Sequence, residues 1–383
     1  MAPRTYQPLP LSEAALAALE RIARGLATNS SLQRELGEAV AELSRVYTRD
    51  RTQLGALDAT KQALLARLGF FFARDLPKVF GPLDELAACD LMPRATTLRV
   101  LDVGAGLGAT SFGLARWLRL RAHPAERLEL CALERSAPAL RSFQAVAKAF
   151  AALPDEFVPI ELDARNGDLR ALRVAQRFDL VTFGFVLNEL FTDAPQSERT
   201  ELRAELLCEA AGKLHEGGAI IVLEPALKES ARELMAVRDV LVGRAAAPHV
   251  IAPCLHTLGC PMLPSPRDWC HQELAYALPP KLAEVARAAS LRYEGLSYAS
   301  LVLANVPRPR ADVHAVRVVS DKLESKGKLE LFGCSEAGYV RHTRLTRAAT
   351  DANAAFASAS RGDVLTIDDG RVRIDEHTRV TRR

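Results

Sequence analysis

VLDVGAGLGATSFGLARWL, residues 100–118, is the stretch on which the fold turns. A short apolar strand pattern runs into Gly104, Gly106 and Gly108, and a helical pattern follows at once. Glycines there permit a tight turn and a close approach of the backbone to a ligand, and the helix behind them offers its free N–H groups. Working outward, apolar runs of strand length recur between helical patterns: LRVLDV (98–103), LELCAL (128–133), FVPIEL (157–162), FDLVTFGF (178–185) and GAIIVLEP (218–225). This alternation predicts an α/β fold, a doubly wound parallel sheet with helices on both faces.

Polar residues at the ends of those strands sharpen the picture. Asp102 lies just before the glycines, and Glu134 ends the second strand, where a carboxylate accepts hydrogen bonds from a ribose diol. Asp163 follows the third expected strand, placed for an adenine amino group. Asn188 and Glu189 follow the fourth, at the C-terminal edge where open α/β sheets bind ligands. A glycine loop by itself also suits nicotinamide and flavin proteins.

With these residues in place, 98–305 resembles the class I S-adenosylmethionine-dependent methyltransferases. The resemblance implies that Gly104, Gly106 and Gly108 surround the methionine part of S-adenosylmethionine, that Glu134 holds the ribose and that Asp163 sits by the adenine. It also brings Asp102 and Asn188 into the expected cofactor-binding set. No Asn-Pro-Pro-aromatic stretch follows the fourth strand, where FGFVLNEL stands instead, and no Pro-Cys pair stands at the ends of strands four or five to attack a pyrimidine ring. The catalytic residue is therefore unassigned. Methyl transfer can proceed by positioning alone, because the sulfonium is already activated, and a binding module that has kept the cofactor fold would read the same way.

The sequence divides into a helical N-terminal region (1–95), a methyltransferase-like domain (96–305) with a Cys-rich insertion at 248–275, and a small basic β module (306–383). Residues 10–92 carry apolar positions three and four apart, with Pro77 and Pro82 as punctuation. LRYEGLSYASLVLANV, from 291, reads as two closing strands, and the segments after the Pro-Arg repeat at 307–310 alternate with period two. Residues 306–383 hold 15 Lys+Arg against 11 Asp+Glu, so the net charge of +3 is concentrated there. That excess suits an anionic partner as well as a solvated basic surface. Candidate phosphate contacts are Arg341, Arg344 and Arg347, with Tyr339 as a stacking platform.

The insertion reads VIAPCLHTLGCPMLPSPRDWCH (250–271) and holds three of the seven cysteines. Cys254, Cys260 and Cys270 are separated by five and nine residues, a spacing of neither a zinc ribbon nor a common ferredoxin. Cys334, in LELFGCSEAG, is the candidate fourth thiol. Zinc held by the three cysteines with His256 or His271 is the other reading. Cys89, Cys131 and Cys208 fall on apolar faces and read as packing residues.

The phrases IAPCLH, GCP and DWCH, after a Glu-Pro and a helix containing Arg238, resemble the mitochondrial small-ribosomal-subunit assembly factors of methyltransferase-like type and their bacterial relatives, from about Leu64 to Cys334. That resemblance implies a four-cysteine iron–sulfur cluster (4Fe–4S) on Cys254, Cys260, Cys270 and Cys334, and binding to small-subunit ribosomal RNA. It leaves methyl transfer open. A non-catalytic assembly factor and a small-molecule methyltransferase with a structural zinc are the competing classes.

Hydrophobic residues at 49% and charged residues at 25% fit a globular chain. The apolar runs are too short for a membrane span, and MAPRTYQPLPLSE lacks the apolar centre of a secretory leader. The expectation is a cytoplasmic monomer with no membrane partner, in a compartment where clustered thiols bind metal rather than pair.

Overall fold

Two sheets organise the chain in the computed structural model, which describes residues 9–28, 31–49, 60–292, 294–309 and 311–382. The first is built from β1 (Thr97–Val103), β2 (Arg127–Glu134), β3 (Ile160–Asn166), β4 (Phe178–Gly184), β5 (Leu214–Pro225), β6 (His249–Ala252), β7 (Gln272–Ala277) and β8 (Glu294–Ala304). Its order is β3-β2-β1-β4-β5-β8-β6, with β7 also paired to β8. The first five strands run parallel, and β8 is antiparallel to β5, β6 and β7. This is the expected doubly wound, class I methyltransferase-like sheet.

β1 shows why the sequence folds this way. Leu98 and Val100 enter one core, while Leu101 and Val103 enter the other. A strand buried on both faces needs a nearly continuous apolar run, and TLRVLDV supplies it. Helices Ala109–Leu120 and Ala137–Phe150 cover the first face with the N-terminal helices, and helices Gln196–Ala211 and Lys228–Val242 cover the second.

Two strand expectations need correction. The third strand is Ile160–Asn166 rather than 157–162: Phe157 and Val158 are core residues ahead of it, and Phe157 stacks on Phe150 with ring centroids 4.6 Å apart. Pro159, without an N–H, precedes the strand's first residue. The segment from 291 forms one strand, β8, rather than two, and β7 begins in the insertion and runs past its end.

The N-terminal region is helical at Glu13–Arg24, at Leu32–Thr48 and from Lys61 to Ala88, where a π turn (Arg67–Phe71) and a 3-10 turn (Leu76–Val79) interrupt the α geometry. That 3-10 turn seats on helix Ala109–Leu120 at Gly113, where a Cβ would stand 2.3 Å from the Leu76 carbonyl oxygen. The parts of the sequence reading that fall on residues 1–8, 29–30, 50–59, 293, 310 and 383 lie outside the described residues. No described helix is long and apolar enough to cross a membrane.

The second sheet takes β9 (Ala315–Val318), β10 (Leu323–Ser325), β11 (Lys328–Ser335), β12 (Gly338–Leu345), β13 (Val364–Ile367), β14 (Arg373–Ile374) and β15 (Val380–Arg382) in the order β14-β12-β11-β9-β13-β15, with β10 on β11. It closes over its own core around Phe356, Leu331 and Ile367. Arg317, 3% exposed on β9, locks this sheet to the rest. It donates to the Pro253 carbonyl (3.0 Å), the Gly362 carbonyl (2.7 Å) and Glu85 Oε1 (2.6 Å), so one buried guanidinium joins the insertion, the C-terminal sheet and helix Phe80–Ala88.

Candidate functional site

A cavity of about 620 Å³ opens at the C-terminal ends of β1, β2, β4 and β5. Gly104 and Gly106 floor it with φ of +68° and +53°, values that favour glycine. A Cβ on Gly104 would strike Val186, while one on Gly106 would meet nothing within 4 Å. Gly108 (φ +87°) is the N-cap of helix Ala109–Leu120, and a Cβ there would strike the Phe143 ring. It shapes the turn without lining the cavity.

Glu134 lines the cavity and ties its own strand to the loop. Its Oε2 accepts from the Gly106 N–H (3.0 Å) and its Oε1 from the Ser136 N–H (2.8 Å). Each carboxylate oxygen keeps lone-pair capacity for a further donor. Asp102 acts from below. It is 1% exposed and accepts from Ser111 Oγ (2.5 Å) and Thr182 Oγ1 (2.8 Å), clamping β1 to the following helix and to β4. Burial pushes its carboxyl up to about 6, against the two hydroxyl hydrogen bonds.

Asn188 lines the cavity but is held from behind. Its backbone N–H donates to Glu224 Oε1 (3.0 Å), its side chain donates to Glu224 Oε2 and to the Phe185 carbonyl (3.3 Å), and its carbonyl accepts from Arg203 (2.8 Å). Arg203, 2% exposed, also donates to the Leu190 carbonyl and pairs with Glu233 at 2.7 Å. The sequence reading missed Arg203 and Glu233, which lie on helices without a motif around them.

Asp163 is not brought to this cavity. With β3 running to Asn166, Asp163 stands opposite Cys131, while Asn166 stands opposite Glu134. Its carboxylate pairs with Arg165 at 2.6 Å. Leu169, beyond the strand, lines the cavity instead.

The far wall comes from the N-terminal helices. Tyr47, Arg67, Phe71, Arg74, Asp75 and Lys78 line it, facing Phe185 from the end of β4. Phe185 has φ +64°, uncommon for an aromatic residue. The helical spacing in the N-terminal region marked a packed face, and nothing in that pattern separates a core residue from a cavity wall.

The second cluster lies behind the insertion. Helix Lys228–Val242 presents Arg232, Met235, Arg238 and Asp239 on one side, a spacing of three and four residues. Arg232 donates to the carbonyls of Leu263 (2.8 Å), Ser265 (2.7 Å) and Asp268 (2.7 Å), and Arg238 to those of His256 (2.8 Å) and Leu258. Asp239 accepts the Cys260 N–H at 2.9 Å, and the Cys270 N–H points to Met235 Sδ at 3.2 Å. The Pro-broken loop is thus hung from the helix by its backbone.

Cys334 arrives from β11 into the same apolar cluster, which contains Met235, Met262 and Val319 with Cys260, Cys270, Trp269, Phe332 and Tyr339 packed against it. Burial and then the neighbouring thiols raise Cys270 well above the usual thiol range and Cys334 to about 12. Burial is also the first cause of the rise at Cys260. All seven cysteines are free. Among the described residues, no three His, Cys, Asp or Glu side chains gather as they would around one metal ion. The four soft donors fit a thiolate-ligated group in donor chemistry. His256 Nε2 stands 3.8 Å from Cys334 Sγ, and Trp269 donates to the Ala226 carbonyl at 3.0 Å.

In the strand expected to carry the phosphate contacts, Arg344 is turned inward, 8% exposed and bonded to Asn353 Oδ1 at 2.9 Å. Period-two alternation put this position on the inner face. Arg341 is exposed on β12 and lies 5.0 Å from the Phe332 ring centroid, with Phe332 stacked on Tyr339, whereas Arg347 is exposed beyond the strand, in the 3-10 turn Thr346–Ala348.

Among solved structures the chain is similar to a Listeria monocytogenes protein described as a class I S-adenosylmethionine-dependent methyltransferase, at 12% identity and TM-score 0.40, over 78% of this chain and 90% of that one. It is also similar to an S-adenosylmethionine-dependent methyltransferase from Clostridium acetobutylicum, at 11% identity and TM-score 0.28, over 79% and 88%. A third is the glycopeptide N-methyltransferase MtfA complexed with sinefungin, at 16% identity and TM-score 0.29, over 58% and 86%. The fold assignment rests on the sheet order and register, not on these scores. No curated protein matches the chain. The model of the family described as mitochondrial small ribosomal subunit Rsm22 matches residues 73–366, across the glycine loop, the cavity except for its wall before residue 73, the insertion and Cys334, and the chain belongs to that family.

Proposed function

We propose that this protein binds S-adenosylmethionine in the 620 Å³ cavity and works on small-subunit ribosomal RNA during assembly of the small ribosomal subunit. The observation that carries the reading is the coincidence of the Gly104–Gly106/Glu134 cavity with a family match that runs through it. When bound, the cofactor supplies an activated methyl group. The chain's own part is to bind, orient and exclude water: Glu134 accepts from the ribose diol, Asp102 fixes the loop, and Glu224 with Arg203 fixes the Asn188 turn beside Phe185.

The same proposal places a four-cysteine iron–sulfur cluster on Cys254, Cys260, Cys270 and Cys334. Support comes from the seat of Cys260, Cys270 and Cys334, from two regions of the chain, in one apolar cluster, with Cys254 packed on the adjoining core that shares Trp269 with it. Such a group fastens the insertion to the C-terminal sheet, so that metal loading and formation of the basic surface go together. Anaerobic purification with iron, sulfide and zinc assays tests it. Matching iron and sulfide support the cluster, whereas about one zinc per chain replaces it with a structural zinc.

We place the protein in a reducing compartment, the cytosol, because its clustered thiols are unpaired. Incubation of purified small subunits with methyl-labelled S-adenosylmethionine tests the enzymatic part. Label in the RNA makes the protein a methyltransferase. Subunit binding without label makes it a non-catalytic assembly factor.

A further inference from the structure

The Arg74–Asp75–Lys78 group on the cavity wall sets two cations against one carboxylate, with Arg74 also over the Phe71 ring (4.5 Å). Asp75 Oδ1 accepts from Arg74 Nε (2.8 Å) and pairs with Lys78 Nζ (2.9 Å), and its Oδ2 accepts from Arg74 Nη2 (2.9 Å). Two cations thus share one carboxylate, although Lys78 is only 7% exposed. Buried charges are normally balanced, and a surplus cation facing a cavity marks a place for an anion. Burial pulls the Lys78 pKa down, while Arg74 and Lys78 outweigh burial and hold Asp75 below the usual carboxylate range.

The position fixes which anion. Along the sheet edge the order is β2, β1, β4, so Glu134 and Phe185 are two strand spacings apart, about 10 Å. Lys78 Nζ lies 5.0 Å from the Phe185 ring centroid, at the end opposite Glu134. The Leu76–Val79 turn that carries it is pinned on the post-glycine helix at Gly113. An adenosine held at Glu134 directs its 5′ substituent over Gly104 toward this group.

We propose that Lys78 and Asp75 seat the zwitterionic α-amino-acid end of the cofactor, Lys78 facing the carboxylate and Asp75 the ammonium. This rests on the cofactor reading above. The test is calorimetric titration of the full chain with S-adenosylhomocysteine and with 5′-methylthioadenosine, which lacks the amino-acid end. Wild type prefers the former by at least about tenfold, and Lys78→Met weakens it by about 10- to 100-fold while leaving methylthioadenosine within about twofold. Retained methylthioadenosine binding also reports that the variant is folded. Equal loss of both ligands makes Lys78 structural and overturns the inference. So does an unchanged affinity for S-adenosylhomocysteine, or a wild type without the preference. A wild type that binds neither ligand removes the cofactor reading itself.

Discussion

Replacing Asp102 by Asn tests whether the glycine loop is built over a desolvated carboxyl. Asp102 ordinarily titrates near 3.8, and in the fold it is raised to about 6. A folded pKa above the unfolded one means that protonation favours the native state, so this contribution is fully present below 3.8 and lost as pH rises through 6. The loss at neutral pH is about 3 kcal/mol, from roughly two pKa units at 1.36 kcal/mol each, and about 2 kcal/mol of it develops between pH 4.5 and 7.5. Asn keeps an acceptor for Ser111 or Thr182 and carries no charge. Urea unfolding of both proteins at the two pH values is the assay. The stability of Asp102→Asn relative to wild type is expected to shift in favour of the variant by about 2 kcal/mol on going from pH 4.5 to 7.5. An offset that is the same at both values refutes the argument, because a solvated or already compensated carboxylate would give that result.

Three other outcomes follow from the packing and the site. Arg317→Met breaks the buried pair with Glu85 and two carbonyl contacts, and thermal or urea unfolding is expected to show a loss of about 3–5 kcal/mol. Gly113→Ala puts a Cβ 2.3 Å from the Leu76 carbonyl oxygen and 2.6 Å from Val79 Cγ1, so it should lose about 1–3 kcal/mol although alanine is the better helix former. Glu134→Ala removes the acceptor at the ribose end, and titration should show S-adenosylhomocysteine and methylthioadenosine weakened together, by about tenfold.

The strands were legible where burial on both faces demands an unbroken apolar run, as in RVLDV and AIIVLE. β3 was misplaced because it lies at the sheet edge, where ELDARN alternates between half-buried and exposed positions, and the apolar Phe157 and Val158 ahead of it belong to the core. That slip moved Asp163 to the strand end. Gly104 and Gly106 were readable because one short loop after β1 carries them, and Glu134 because it ends the next strand, β2. Lys78 and Asp75 reach the same cavity from a helix more than twenty residues upstream, and Arg203 supports it from a helix downstream; no local pattern encodes either meeting. Cysteines are scarce enough for the insertion to stand out, but the Arg232 and Asp239 contacts that hang it from its helix emerge in three dimensions.

Sedimentation of the purified protein with isolated small ribosomal subunits tests whether it is a small-subunit partner. The protein is expected to travel with the subunit at low salt, to be released as salt rises, and to bind less well when Arg341 and Arg347 are replaced. Protein that remains at the top of the gradient at every salt concentration, from a preparation that carries its metal and binds S-adenosylhomocysteine, would contradict that expectation.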